Sequence, residues 1–177
     1  VVQLLTATAS EAGPFAVLEF TGTLPRAKFY TDWLAGLDDA QTLQRLRAPD
    51  WDPTRQVLVS EKLAAATPSP TAASSEATIT RYAPKHITVK TRSSAAGLLL
   101  LNDRWHPDWK VTVDGQATPL LRANFLMRGV SVPAGEHTVE YRFDPPHQAL
   151  WASLSAVMAA LLLVGILVLA PKAPHAD

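Results

Sequence analysis

The 177-residue chain has no cysteine, which excludes a disulfide framework, a thiolate metal centre and a cysteine nucleophile. Neither sign of charge is in excess, with 16 basic side chains against 16 acidic ones. A neutral chain exerts no long-range pull on a phosphate backbone, so no nucleic-acid partner is expected. Glycine is sparse, and its eight residues never fall into G-x-G or G-K-[ST], the spacings that let backbone N–H groups cradle a phosphate. No G-x-S-x-G elbow and no H-E-x-x-H pair occurs. Methionine stands only at Met127 and Met158, and the first residue is Val1. A processed chain, or the tail of something longer, is expected.

One absence is local. From Ala149 to Ala170 the chain reads ALWASLSAVMAALLLVGILVLA, without a charged residue. As a helix this stretch is about 33 Å long, enough to cross a hydrocarbon core of roughly 30 Å. Trp151 suits an interfacial anchor, and Pro171-Lys172 closes the far end, leaving 171–177 as a tail. Ser153 and Ser155 are tolerated because a serine hydroxyl bonds a carbonyl one turn back. The alternative is a buried core helix, but core helices rarely run this far without a charge. A transmembrane helix over 149–170 is therefore expected, with the lipid bilayer as partner. One lysine behind the span does not fix its orientation.

Ahead of it, FAVLEF (15–20) and Ala27–Trp33 read as strands, and Leu37–Ala48 reads as a helix. Asp38 followed by Gln41 forms a capping box, and Arg45 and Arg47 suit the negative end of the helix dipole. Pro49 ends the helix, and a further strand spans Gln56–Ser60. Residues 1–63 are expected to form a small α/β unit, with VVQLL as the frayed end of an upstream segment. AAATPSPTAASSEA (64–77) lacks bulky apolar groups and reads as a flexible linker. Residues 78–146 then read as an antiparallel β-sandwich. Ile87 and Val89 alternate with Thr88 and Lys90, and Trp109, Val111 and Val113 with Lys110 and Thr112. Gly97–Leu101 is a continuous apolar run suited to an interior strand. Asp114-Gly115 and Pro133-Ala134-Gly135 supply turns, and Asp144-Pro145-Pro146 stops the sheet. The expected fold class is mainly β: a sandwich with a small N-terminal α/β unit and a C-terminal transmembrane helix.

The block LLLLNDRWHPDWKVTVDGQATPLLRANFLMRGVSVPAGEHTVEYRFDPP, followed at once by the apolar stretch, closely resembles the C-terminal region of the YfhO-like family of bacterial membrane proteins. LPRAKFY and APDWDPTRQVLVSE look like the segment that precedes it in that family. The most specific elements are Trp109–Gly115 and Arg122–His137. Where family members often carry Tyr and Gly in the first motif, this chain has His106 and Asp108. The resemblance implies a large polytopic parent, similar in layout to membrane glycosyltransferases that use lipid-linked sugar donors. Many membrane helices would come first, with catalytic carboxylates in early extracytoplasmic loops. This chain would be the C-terminal extracytoplasmic domain and last helix in a bacterial cell membrane, partnered by the upstream helices and carrying no reaction centre.

The local chemistry is read independently. Asp103, His106 and Asp108 lie within NDRWHPD, and His106 and Asp108 can project to one side as metal ligands. Pro107 between them and a set of only three ligands favour a solvated loop. No metal and no cofactor is expected. His86, His137, His147 and His175 lack ligand spacing and read as surface residues. Trp105 is a candidate for stacking on a sugar ring, with Asp103 near enough to hold hydroxyls, whereas Trp109 follows the inward alternation and reads as core. Arg122, Asn124 and Arg128 surround a strand connection and can hold an anionic group such as a lipid phosphate. The plainer alternative makes Asn124 a turn cap and pairs the arginines with acids across the sheet. The function expected is a non-catalytic accessory domain acting on cell-envelope glycans or lipid-linked sugars. A membrane-anchored carbohydrate-binding module and a purely structural domain are the alternatives. Membrane spans upstream of Val1 would favour the first reading, and a signal peptide there the second.

Overall fold

In the computed structural model, which describes residues 5–9, 11, 13, 16–20, 22–63 and 75–169, the chain divides into two units, Val1–Phe143 and Asp144–Asp177. The first unit is mainly β. In chain order it contains β1 (Leu5–Ala9), β2 (Ala16–Phe20), β3 (Ala27–Tyr30), β4 (Asp32–Ala35), α1 (Asp39–Arg47), β5 (Gln56–Val59), β6 (Ser75–Ala83) and β7 (His86–Ser93). There follow β8 (Gly97–Arg104), β9 (Trp109–Val113), β10 (Gln116–Thr118), β11 (Leu121–Ala123), β12 (Met127–Val132) and β13 (Gly135–Phe143). β1 and β2 form a hairpin, so Leu5 belongs to a paired strand; Val1–Leu4 lie outside the described residues.

Two larger sheets carry the core. One is antiparallel in the order β10-β9-β13-β7-β6, and the other runs β3-β8-β12-β11-β5-β4. The alternating residues Ile87, Val89, Val111, Val113, Val139 and Tyr141 of the first sheet are buried with Phe29, Leu99, Leu101, Val130 and Val132 of the second. Each such side chain contributes about 1.5–3 kcal/mol when removed from water. Two sheets sharing one core is the layering expected of a sandwich.

The six-stranded sheet departs from that expectation. Ala27–Trp33, read as one strand, is split between β3 and β4, and these occupy opposite edges of the sheet. Only Thr31 separates them, so the two edges meet within about 7 Å and the sheet curls on itself. Tyr30, Val57, Val59, Leu98, Leu100, Leu121 and Ala123 form a second apolar cluster. β8 is thus buried on both faces, which explains its unbroken apolar run. Glycine is required at its start: a Cβ on Gly97 would stand 2.3 Å from the Tyr30 carbonyl oxygen and 2.5 Å from the Phe29 ring. β4 pairs with β5 in parallel, the other departure from an all-antiparallel fold.

Two boundaries change. β3, β4 and β5 belong to the same sheet as β8, β11 and β12, so residues 1–63 are not a separate α/β unit. Ser75–Ala77, assigned to the linker, begin β6, and residues 64–74 lie outside the described residues. α1 forms as anticipated: the Asp38 carboxylate accepts from Gln41 N at 2.8 Å and the Gln41 side chain accepts from Asp38 N at 3.0 Å.

The second unit contains α2 (Gln148–Leu169), 22 residues with no charged side chain, whose large apolar groups stand exposed, from 52% at Leu154 to 83% at Leu169. Among the described residues, no helix is long and apolar enough to cross a membrane. The transmembrane span expected over 149–170 is therefore not shown by the fold itself.

Candidate ligand-binding site

Asp103, near the end of β8, accepts from Arg26 Nε at 3.0 Å, from Arg26 Nη2 at 2.7 Å and from the Tyr82 hydroxyl at 3.2 Å. Arg128 Nη1 lies 3.8 Å from its other oxygen, and both of these side chains are more than nine-tenths buried. The Arg128 guanidinium also stacks 3.8 Å from the Trp109 ring and donates from Nε to the Arg104 carbonyl at 2.9 Å. Burial lowers its pKa, while the Asp103 carboxylate works to raise it. Tyr141, fully buried nearby, has its pKa pushed up by burial and stays neutral. The carboxylate expected to hold sugar hydroxyls is already occupied by two cations and a phenol. Arg128, expected to hold an anion, is a core cation.

Arg122 and Asn124 follow their plainer readings. Register sets Arg122 opposite Arg128 across β11 and β12, but their side chains end on different partners. The Arg122 guanidinium contacts Asp39, and its backbone N–H donates to both Glu61 oxygens at 3.0 Å. Asn124 has a positive φ of 43° and copies a backbone strand pair. Its N–H donates to the Leu58 carbonyl at 2.8 Å and its Oδ1 accepts from Leu58 N at 2.9 Å, tying the β11–β12 turn to β5. Phe125 follows at φ 75°, a conformation that a bulky residue adopts only under constraint.

Trp105 is half-buried, and its backbone N–H donates to the Leu126 carbonyl at 2.7 Å. It lines a groove of about 380 Å³ with Pro107, Trp109, Lys110, Pro119 and Leu120. Trp109 is 8% exposed and packs into the core against Phe143, as its alternation requires. This groove has two indoles, a lysine and little else that is polar, which suits the flat apolar face of a ring. His106 Nδ1 accepts from Asp108 N at 3.3 Å, so that nitrogen is spent within the loop. Among the described residues no group of three His, Asp or Glu side chains converges as a metal site.

Sequence reasoning missed a second site. His137 Nδ1 lies 2.6 Å from Asp114 Oδ2 and its Nε2 lies 3.1 Å from the Ala134 carbonyl oxygen. The other Asp114 oxygen accepts from Thr138 N at 2.8 Å. The Asp114 carboxylate and the Ala134 carbonyl hold the His137 pKa above its ordinary value, and the His137 ring and Thr138 N–H hold that of Asp114 below. With an acceptor facing each ring nitrogen, the surroundings favour the charged form of His137. The pair borders an open polar groove of about 420 Å³ with Glu76, Thr78, Lys90 and Arg92. Asp114 and His137 are brought together only by the β9–β13 pairing, and their separation in sequence carried no signal.

Comparison of the chain with protein-family models, curated proteins and solved structures finds no match.

Proposed function

We propose that this chain is an extracytoplasmic accessory domain, held to a bacterial membrane by α2, within a YfhO-like, glycosyltransferase-like protein. Its role is to meet an envelope glycan or lipid-linked sugar without performing chemistry. The observation that carries the reading is α2 itself: 22 uncharged residues, apolar around the whole circumference, with the large side chains exposed. A helix that is hydrophobic on all sides requires cover, and at about 33 Å its backbone matches a hydrocarbon core. The uncharged stretch runs unbroken from Gln148 through Leu169.

The non-catalytic assignment is supported by saturation of the titratable groups. Asp103 is spent on Arg26 and Tyr82, and His137 on Asp114 and Ala134. The sugar assignment is supported by the Trp105–Trp109 groove and by the family resemblance.

Alkaline carbonate extraction of membranes from cells expressing the full chain tests the anchor. The wild-type chain is expected to stay in the pellet. Leu162→Arg with Gly165→Arg, at about 2.5–3.5 kcal/mol per central arginine, is expected to release it. Complete extraction of the wild-type chain as a soluble monomer would sink the proposal.

A further inference from the structure

The connections at one end of the first unit share an unusual surface. β13 ends there at Phe143, which pairs with Trp109, and its N–H donates to the carbonyl of Lys85 in the β6–β7 turn. Arg104 ends β8 opposite Met127, so the Asn124–Leu126 turn lies at this end too, tied to Trp105 through the Leu126 carbonyl. Arg26, whose carbonyl accepts from Asn102, places Leu24 beside it. Among the described residues of the first unit, four large apolar side chains are exposed: Leu24 at 36%, Leu34 at 37%, Tyr82 at 51% and Leu126 at 48%. Three of the four, all but Leu34, fall at this single end.

Exposed cations surround them. Lys85, Arg104 and Lys110 are exposed, and Arg142 is exposed while bonded to Glu140 at 3.0 Å. Asp103, bonded to Arg26 and to the Tyr82 hydroxyl, Asp108, 3.5 Å from His106, and Asp144 are acids at the same end. Apolar tips interleaved with lysine and arginine are the composition that settles at a lipid headgroup layer. The chain also leaves from here. Four residues separate Phe143 from Gln148, a reach of about 17 Å even when fully extended.

We infer that this end of the β-domain, presenting Leu24, Tyr82 and Leu126 among Lys85, Arg104 and Lys110, is a membrane-contacting surface that rests in the headgroups of an anionic phospholipid bilayer. The inference depends on α2 lying in lipid, as proposed above. Its consequence is functional: the Trp105 groove opens beside the headgroup layer, where the sugar of a lipid-linked donor is carried.

The absence of cysteine makes site-directed spin labelling direct. Leu126→Cys and Lys85→Cys report the surface, Ser94→Cys reports the opposite end, and Leu161→Cys reports α2. Each full-length variant is labelled with a nitroxide and reconstituted in phosphatidylcholine vesicles with and without phosphatidylglycerol. Accessibility to oxygen is then compared with accessibility to a soluble nickel chelate. Labels at 126 and 85 should lose nickel accessibility several-fold relative to 94, more strongly with phosphatidylglycerol. Lys110→Gln with Arg104→Gln should lower the equilibrium constant for contact by about five-fold per charge removed. A buried label at 161 with fully aqueous labels at 126 and 85 overturns the surface while the anchor stands. An aqueous label at 161 overturns both.

Discussion

The Arg26–Asp103–Arg128 network makes an asymmetric prediction. Asp103→Asn keeps the shape of the side chain and an acceptor for Tyr82 and Arg26, but removes the negative charge nearest Arg128. Arg128, 6% exposed, is then a buried cation with Trp109 and one carbonyl for company. Breaking a buried pair from one side costs about 3–5 kcal/mol. The 3.8 Å separation exceeds a hydrogen bond, so the low end, about 3 kcal/mol, applies. For a chain of this size that is a fall in melting temperature of about 6–12 °C. The converse change, Arg128→Met, leaves Asp103 with Arg26 and Tyr82 and fills the site against Trp109, costing about 1.5 kcal/mol or less. In the double variant the orphaned cation is gone, and about 2 kcal/mol of the Asp103→Asn loss should return. Thermal unfolding of the full chain in detergent, followed by near-ultraviolet circular dichroism, reads all three. Equal losses for the two single changes, or strict additivity in the double, would refute the assignment of Asp103 as the counter-charge of Arg128.

Two further outcomes follow from the turns. Asn124→Ala should cost about 2–4 kcal/mol, because it leaves the Leu58 N–H buried without its acceptor and puts a Cβ residue with no polar side chain at positive φ; Asn124→Gly should recover only the conformational part, which chemical denaturation can resolve. The His137–Asp114 pair should make stability depend on pH at both ends. His137, raised from 6.5, contributes fully below that value, and its contribution fades as pH rises through the higher folded pKa. Asp114, lowered from 3.8, contributes fully above that value, and its contribution fades as pH falls through the lower folded pKa. Both are present between about pH 4 and 6.5. His137→Gln should flatten the alkaline limb of a melting-temperature profile; an unchanged limb would remove His137 from that role.

Local pattern determined a good part of this protein. Strict alternation in His86–Thr91 and Trp109–Val113 placed Ile87, Val89, Val111 and Val113 inward, because a strand has two faces and one of them meets a core. The capping box at Asp38 and Gln41 and the uncharged helix were equally legible, since caps and hydropathy act over a few residues. Trp109 was correctly core, and Asn124 a turn residue in its plainer reading.

What tertiary structure alone decided lies in pairings between distant segments. The splitting of Ala27–Trp33 across both edges of one sheet is set by its pairings with β8 and β5, farther along the chain, and has no local signature. Asp103 looked free beside Trp105, yet β3 and β6 bring Arg26 and Tyr82 onto it from far along the chain. The His137–Asp114 pair and the gathering of Leu24, Tyr82 and Leu126 at one end arise the same way. Sequence sets which faces are apolar; which faces and turns become neighbours is set by strand register, a cooperative property of the whole sheet.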